Sequence, residues 1–254
     1  MRKRLDVLLV ERGLAESRTQ AQALVMAGLV RGFDKPGQQV DEQVELSVEP
    51  RPAYVSRGGE KLAHGLDLLG VDPRGLDALD VGASTGGFTD VLLRRGAARV
   101  IAVDVGYGKL HPRLRADARV VVLERVNARA LTELPFAPEL VVCDVSFISV
   151  RIALPPALRL AAPVWQAVVL VKPQFEAGKA EVPRGGVVRD PEVHRRVVRE
   201  VAEAALGWGA EPAGVVDSGL PGPKGNREFV LHLVNRPDPQ RPPGLDAWID
   251  AAVG

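Results

Sequence analysis

Short apolar runs alternate with amphipathic stretches along most of the chain after residue 75. Continuous apolar runs bounded by turn residues are typical of strands buried on both faces. They predict seven strands, at residues 76–81, 99–104, 119–123, 139–145, 166–171, 213–218 and 228–234. Apolar residues at helical spacing predict helices at 86–95, 150–161 and 191–207. This alternation predicts an α/β fold with a mainly parallel sheet between helices, and the turn-rich, helix-free connection before the last strand favours an antiparallel edge hairpin.

The first 50 residues have a different pattern. Apolar residues at helical spacing from Leu5 to Val10, followed by Gly13, predict one short helix, and Ser17 can cap a second helix that closes at Gly28. Alternating valines and a leucine then predict small antiparallel strands. We expect four segments: a small α+β domain at 1–50, a proline-containing linker at 51–56, a large α/β domain at 57–236, and a proline-rich tail with a short terminal helix at 237–254.

A strand, turn and helix at residues 79–90 carry the strongest chemical signal. The turn has glycines at Gly82, Gly86 and Gly87, which let the backbone turn sharply and approach a ligand at the helix N-terminus. A structural turn is the alternative. However, Asp80 precedes the turn, and the next strand ends at Asp104, which is placed to accept hydrogen bonds from ribose hydroxyls. The glycine spacing differs from the dinucleotide fingerprint, so it favours S-adenosylmethionine over a nicotinamide dinucleotide.

Composition narrows the class of protein without defining its function. The 254 residues are 46% apolar and 26% charged, which is typical of a soluble globular protein. No apolar run approaches the roughly 18 uninterrupted residues of a membrane helix, and the N-terminus lacks a signal-peptide core, so we expect a cytoplasmic protein. The single cysteine, Cys143, lies in an apolar run and is expected to be buried and inert, and the four histidines lack ligand spacing, so no metal is expected.

A net charge of +1 does not indicate a nucleic-acid-binding protein, but the N-terminal motifs do. Their order, Arg-Leu-Asp, Ser-Arg-x-x-Ala, Ala-Gly-x-Val and Lys-Pro-Gly, resembles the small RNA-binding domain named after ribosomal protein S4. The resemblance implies that Arg4 and Arg18, with Lys3 and Lys35, contact structured RNA. The chain departs from the family at residues 30–32, where Val-Arg-Gly replaces the usual Val-x-Val-Asn-Gly. The alternative is that these basic residues only solvate helix faces.

Charged residues also follow the predicted strands, at the edge where doubly wound sheets bind ligands. Asp144 follows the fourth strand, Lys172 the fifth, Glu228 begins the last, and Lys61 lies on an earlier helix. A structural ion pair would explain such residues equally well. In this order, however, they resemble the Lys-Asp-Lys-Glu tetrad of FtsJ-type ribose 2′-O-methyltransferases, which have a seven-stranded Rossmann-like sheet. More specifically, six segments resemble the TlyA family, at residues 54–61, 80–88, 144–149, 172–176, 186–191 and 225–229.

The TlyA resemblance spans the chain from Arg4 to about residue 235 and implies a reaction. Its members join the small RNA-binding domain to a methyltransferase and modify ribosomal RNA. The implied activity is S-adenosylmethionine-dependent methylation of a ribose 2′-hydroxyl, with cytidine expected, in assembled ribosomal subunits. Lys172 is the candidate base, helped by desolvation or by Lys61. Asp144 and Glu228 would orient the lysines but favour their charged forms, so the group that takes the proton stays open.

The resemblance further implies a cofactor site. It would comprise Asp80, Gly82, Ser84, Gly86 and Gly87 at the methionine end, Asp104 at the ribose, Val105 against the adenine, and Asn127 at the adenine edge.

Further RNA contacts are expected outside the N-terminal domain. Arg57 is one, and the glycine-containing segment 176–186 predicts a mobile RNA-facing loop through Lys179 and Arg184. A plain surface connection is the alternative for that segment. Two other functions remain: a membrane-active haemolysin, a label often given to this family, and a non-catalytic RNA-binding ribosome-assembly protein. Neither a membrane nor a DNA partner is expected.

Overall fold

A computed structural model describes residues 2–26, 29–48, 53–178, 181–222 and 224–254. The chain divides into two compact units, Met1–Pro52 and Ala53–Gly254. Residues 51 and 52 of the linker predicted at 51–56 lie outside the described residues. The other domain boundaries stay predictions.

The first unit contains two helices and two short strands. Its elements are β1 (Arg2–Arg4), α1 (Leu5–Glu11), α2 (Arg18–Met26) and β2 (Gln39–Asp41), and β1 pairs antiparallel with β2. Both helices agree with the sequence pattern: Gly13 follows α1 with φ +69°, and Ser17 Oγ accepts a hydrogen bond from Gln20 N at 3.2 Å. The pattern does not predict β1, because its three residues are all basic. Buried leucines, Leu5, Leu8, Leu9 and Leu24, join the two helices.

The second unit is built on a seven-stranded sheet with the order β5-β4-β3-β6-β7-β9-β8. Its strands are β3 (Asp77–Val81), β4 (Arg99–Asp104), β5 (Val120–Glu124), β6 (Leu140–Cys143), β7 (Gln166–Val171), β8 (Ala210–Asp217) and β9 (Phe229–Asn235). The first five are parallel, whereas β9 runs antiparallel to both β7 and β8. The predicted α/β class and the antiparallel edge hairpin are confirmed.

Helices cover the sheet on both faces. The longer ones are α3 (Arg57–Leu69), α4 (Gly87–Arg94), α9 (Pro191–Leu206) and α10 (Leu245–Val253). Short helical turns are α5 (Pro112–Arg115), a 3₁₀ turn (Ala128–Ala130), α6 (Val150–Ala153), α7 (Pro155–Leu158) and α8 (Pro173–Glu176). One prediction is wrong in detail: the helix expected at 150–161 is two short helices, α6 and α7. Pro155 and Pro156 lack backbone N–H donors, so a continuous helix would lose two hydrogen bonds there.

The strand order places a ligand cleft at the carboxyl ends of the central strands. After β5 the chain crosses back and adds β6 on the other side of β3, so the order reverses between β3 and β6. Ligands of doubly wound sheets bind outside the carboxyl ends of the strands at such a switch point. All four residues of β6 are buried, and burial raises the pKa of the Cys143 thiol, as expected of an inert cysteine.

The C-terminal segment contributes to the core. Leu245 and Ile249 of α10 are fully buried, and the helix packs against α9 and β8. Within the described ranges, no helix combines the length and apolarity needed to cross a bilayer.

Candidate active site

The glycine turn after β3 lies tight against the neighbouring strand end. Gly82 N and Ala83 N donate to Val103 O at 2.9 and 3.0 Å, which fixes the turn to β4. Gly82 has φ +90°, and a Cβ at this position would lie 2.5 Å from the backbone oxygen of Asp144. Gly86 also has a positive φ, +94°, and precedes the first residue of α4. Both glycines are therefore required by backbone geometry, and the turn brings α4 and the end of β6 together.

Asp80 is a fully buried carboxylate beneath this turn. Its Oδ2 accepts hydrogen bonds from Thr89 N at 2.9 Å and from Thr89 Oγ1 at 2.7 Å. Its Oδ1 has no hydrogen-bond partner among the described residues. Burial raises the pKa of Asp80 to about 7, and the negative charges of Asp144 and Asp104 add to the effect. A cationic ligand group near Oδ1 would pair the free oxygen and stabilise the ionised carboxylate.

Asp104, at the end of β4, is held by backbone donors. Its Oδ2 accepts from Ser84 N at 2.8 Å, and its Oδ1 accepts from Gly106 N at 2.6 Å. Each carboxylate oxygen can accept two hydrogen bonds, so the side chain is oriented and still has acceptor capacity. Ser84 itself has φ +49°, an uncommon conformation for a residue with a side chain.

Two clefts meet at the carboxyl ends of β3 and β6. One, the charged cleft, has a volume of about 230 Å³, and the other, the Asp104 cleft, about 330 Å³. The charged cleft contains the four predicted tetrad residues and Arg57, whereas the Asp104 cleft contains Val105, Asn127 and Phe147. Four residues line both clefts, namely Gly82, Ser84, Asp144 and Ser146. A group bound in one cleft can therefore face a group bound in the other.

The four charged residues form two ion pairs. Lys61 Nζ donates to Glu228 Oε2 at 2.6 Å, and Lys172 Nζ contacts Asp144 Oδ1. Lys61 and Glu228 are only 6% and 1% exposed, which makes this pair deeply buried. Lys172 Nζ also lies 3.0 Å from Ser146 Oγ. The Lys172–Asp144 pair is thus at the junction of the two clefts, whereas the Lys61–Glu228 pair belongs to the charged cleft alone.

The residues predicted to contact the cofactor lie on two sides of this junction. Gly87, in the first turn of α4, lines the charged cleft, and Gly86 is enclosed by leucines of the 110–114 segment. Val105 is 70% exposed at the rim of the Asp104 cleft. Asn127 Oδ1 accepts a hydrogen bond from Arg129 N at 3.1 Å and caps the 3₁₀ turn. Asn127 is thus held in place within the cleft.

In the first unit, two of the predicted RNA-binding residues share one buried carboxylate. Arg4 donates to Asp6 at 2.9 and 3.1 Å, and Arg18 donates to Asp6 at 3.3 Å. Gln22 donates to the same carboxylate at 2.8 Å. The Arg4 hydrogen bonds hold the pKa of Asp6 well below its usual range. The sequence reasoning missed this role of Asp6, although it directly follows the Arg-Leu pair of the N-terminal motif.

The other predicted RNA-binding residues differ in their surroundings. Lys3 Nζ lies 2.9 Å from Glu11 and 3.2 Å from Glu42, so two carboxylates compete with any RNA phosphate. Lys35 is exposed. Lys3, Arg4 and Arg18 are therefore each paired with a carboxylate.

In the second unit, Arg57 is exposed at the charged cleft and Arg184 is exposed in the segment that follows α8. Lys179 lies outside the described residues. The sequence reasoning also missed Asn226, which is buried and clamps this segment: it accepts from Val188 N at 2.9 Å and donates to Gly186 O at 2.8 Å.

Comparison with known proteins decides the family. The family model of FtsJ-like methyltransferases matches residues 54–235, and the S4 domain model matches residues 3–31. The chain belongs to the FtsJ-like methyltransferase family. The TlyA resemblance seen in the motifs is confirmed as well, because the chain is 49% identical over 245 residues to the 16S/23S rRNA (cytidine-2′-O)-methyltransferase TlyA of Mycobacterium tuberculosis, covering 93% of this chain and 91% of that protein.

Other members of the family carry a different name. The chain is 35% identical to Hemolysin A of Brachyspira hyodysenteriae, covering 91% of this chain and 99% of that protein. A solved structure of a Streptococcus thermophilus protein named as a hemolysin superimposes with a TM-score of 0.78 at 39% identity, covering 99% of this chain and 95% of the other. Related proteins therefore carry either a methyltransferase name or a hemolysin name, and the geometry of the site is the evidence that distinguishes these two functions.

Proposed function

We propose that this protein transfers a methyl group from S-adenosylmethionine to the 2′-hydroxyl of a cytidine ribose in ribosomal RNA. One observation carries the proposal: a cleft fit for a nucleoside and a cleft lined by two lysines and two carboxylates share a wall at Gly82, Ser84, Asp144 and Ser146. Membership of the FtsJ-like family and the activity named for the TlyA relative support the same reaction.

The Asp104 cleft fits the proposed cofactor. The unpartnered Oδ1 of Asp80, beneath the turn, suits a cationic amino group, and a side chain at Gly82 would overlap the backbone of Asp144 at the cleft wall. Asp104 has acceptor capacity for ribose hydroxyls, while Val105 and Asn127 offer an apolar surface and an amide for a base. When bound, S-adenosylmethionine supplies a methyl group on a sulfonium, which is electrophilic.

The charged cleft fits the acceptor hydroxyl. We assign the Lys172–Asp144 pair to the reacting oxygen, because it lies where the clefts meet and Ser146 holds the lysine in place. Lys172 Nζ orients the hydroxyl, and the pair receives its proton as the new oxygen–carbon bond forms, which is typically worth about 10²- to 10⁴-fold in rate. Lys61 and Glu228 line the same cleft and fix the ribose.

The basic residues outside the clefts support an RNA substrate. Arg4, Arg18 and Lys35 of the S4 domain are assigned to phosphates, and Arg57 and Arg184 to RNA close to the target nucleotide. Phosphate contacts of this kind position an enzyme on a large structured RNA without reading its sequence. We therefore place the reaction on assembled ribosomal subunits, and accordingly in the cytoplasm.

Labelled methyl transfer tests the proposal. Small subunits, large subunits and naked ribosomal RNA are incubated separately with the protein and labelled cofactor, and 2′-O-methyl marks are mapped. We expect transfer to a subunit, and Lys172→Ala should abolish it while cofactor affinity stays within about threefold, because Lys172 lines only the charged cleft. The exposed Arg159→Ala is the matched control and should keep wild-type turnover.

Four outcomes would count against the proposal. Retained turnover in Lys172→Ala would remove that residue from the reaction. Transfer to small molecules alone would refute the ribosomal substrate. Liposome leakage without methyl transfer would support the haemolysin name, and cofactor and RNA binding without any turnover would support an assembly protein.

A further inference from the structure

Glu176 is a buried carboxylate that the proposed reaction does not use. It ends α8, the short turn that begins directly after Lys172, and it is 6% exposed. Burial raises the pKa of its carboxyl group, which means that ionised Glu176 is costly to keep at this position. Contacts that stabilise the ionised form must therefore offset this cost, and Glu176 lies only four positions after Lys172 of the charged cleft.

The carboxylate of Glu176 binds the loop that begins at Asp144. Its Oε1 accepts from Val150 N at 2.7 Å, and its Oε2 accepts from Ser149 Oγ at 2.5 Å and from Arg151 Nε at 3.3 Å. The Arg151 guanidinium also donates to the backbone oxygen of Glu176 at 3.1 Å. Glu176 therefore fastens the far end of the 144–150 loop to the far end of the 172–176 turn.

These two segments are joined at two further places. At their near ends, Lys172 contacts Asp144 and Ser146. In the middle, the rings of Phe147 and Phe175 lie 5.1 Å apart and tilted by 49°. The two segments thus run side by side, with an ion pair at one end, an aromatic contact in the middle and Glu176 at the other end.

The loop needs such a fastening, because part of it is in an unfavourable conformation. Phe147 has φ +64°, which an aromatic residue rarely adopts, and its side chain is 92% exposed. Without an external tie, the loop would relax towards ordinary backbone angles and move Asp144 and Ser146 with it. Glu176 and its donors supply a tie at the opposite end from the reacting groups.

We propose that Glu176 is a positioning residue for the methyl transfer: it holds the 144–150 loop against the 172–176 turn so that Asp144 and Ser146 face Lys172. Its effect on turnover rests on the proposed function, but its effect on the loop does not. Removing the tie displaces Asp144 and Ser146, which line both clefts, whereas Asp80 and Asp104, which lie on other strands, keep their places.

The test compares Glu176→Gln with Glu200→Gln in the full chain. Gln is nearly isosteric but neutral, and only one of its two terminal atoms is an acceptor, so it cannot accept at both the position that faces Val150 N and the position that faces Ser149 Oγ. Glu200, on α9, is the other carboxylate partner of Arg151, at 3.4 Å, so its variant removes a charge from the same arginine without touching the loop contacts. Ser149→Ala removes one Glu176 contact from the loop side, together with the cap that Ser149 Oγ forms on Arg151 N, and serves if Glu176→Gln does not fold.

Two measurements are made on each variant. Hydrogen exchange of residues 144–154 reports the loop without any substrate, and exchange of β6 serves as the internal reference. We expect exchange of the loop to be at least tenfold faster in Glu176→Gln and unchanged in β6 and in Glu200→Gln. Methyl transfer to ribosomal subunits is measured at saturating S-adenosylmethionine, because Asp144, Ser146 and Phe147 also line the Asp104 cleft. It should show kcat at least tenfold lower, with KM for the subunits within threefold.

Each result decides a separate question. Unchanged loop exchange in Glu176→Gln, or in Ser149→Ala if the first variant does not fold, overturns the inference. Faster loop exchange with an unchanged kcat overturns it as well, because the loop would then move without effect on the reaction. A KM for subunits that rises more than threefold together with the fall in kcat also overturns it, because Glu176 would then have a general structural role. If the wild-type protein does not methylate subunits, the proposed function fails, and the exchange data alone decide whether Glu176 holds the loop.

Discussion

Replacing Gly82 with alanine should displace Asp144 while changing only one methyl group. The new Cβ would lie 2.5 Å from the backbone oxygen of Asp144 and 3.3 Å from Cγ1 of Val145. Ordinary contact begins at 3.4 Å, so the end of β6 has to move by about 0.9 Å. The displaced atoms are backbone, which cannot rotate away as a side chain could. The carboxylate of Asp144 moves with them.

The expected magnitudes follow from two separate effects. Alanine at φ +90° costs about 1–2 kcal/mol in backbone strain, which lowers the melting temperature by a few degrees in a chain of this size. A shift of about 1 Å at the reacting groups costs on the order of 10²-fold in rate. We therefore expect kcat/KM for ribosomal subunits to fall about 10²-fold in Gly82→Ala.

A second glycine separates these effects. Gly70 follows α3 with φ +67°, and a Cβ there would meet no atom within 4 Å. Gly70→Ala should lower the melting temperature by the backbone strain alone and leave kcat/KM within about twofold of the wild type. The assay is labelled methyl transfer beside thermal unfolding. Equal turnover in the two variants would refute the reasoning, since the contact with Asp144 would then have no effect on the reaction.

Two further predictions concern the cofactor and RNA. Because the pKa of Asp80 is raised to about 7, its ionised form grows from a minor to a major fraction between pH 6 and pH 8. The affinity for S-adenosylhomocysteine should therefore rise up to about tenfold over that range in calorimetric titrations. Asp80→Asn should abolish this pH dependence, and a flat wild-type profile would contradict the assignment. Arg18→Ala should weaken binding to ribosomal RNA and reduce the slope of log affinity against log salt by about 0.9. The assay is filter binding, and the variant Arg31→Ala, which changes an exposed arginine, is the control. An unchanged slope would mean that Arg18 only solvates its helix.

The sheet could be predicted from the sequence because its physical cause is local. Each central strand is buried on both faces and is therefore a continuous apolar run, as in β6 and β7. The ends of strands are harder to predict where an irregularity interrupts the apolar pattern. Strand β8 begins at Ala210, three residues before its predicted start, and it contains a register shift between Pro212 and Gly214 that interrupts the regular pattern.

The candidate site could be predicted only in part. The glycine turn, Asp80 and Asp104 follow strands in the sequence, so their common edge is implied by the fold. By contrast, Lys61 and Glu228 are 167 positions apart, and only the family resemblance linked them before the fold was known. Glu176 and Asn226 carry no spacing signal, because each acts through a loop that it meets only in the folded chain.

The charges buried around the clefts support a functional origin for this arrangement. Five charged residues are buried at or near the carboxyl ends of the central strands: Lys61, Glu228, Lys172, Glu176 and Asp80. Buried ion pairs contribute little net stability, because desolvation offsets the attraction, and apolar residues of similar volume often stabilise a fold more. An unpartnered oxygen on Asp80 is unfavourable as well. Asp6 and Asp90 are buried elsewhere, but these five charges lie together, and the proposed reaction, which orients a hydroxyl and removes its proton, explains why.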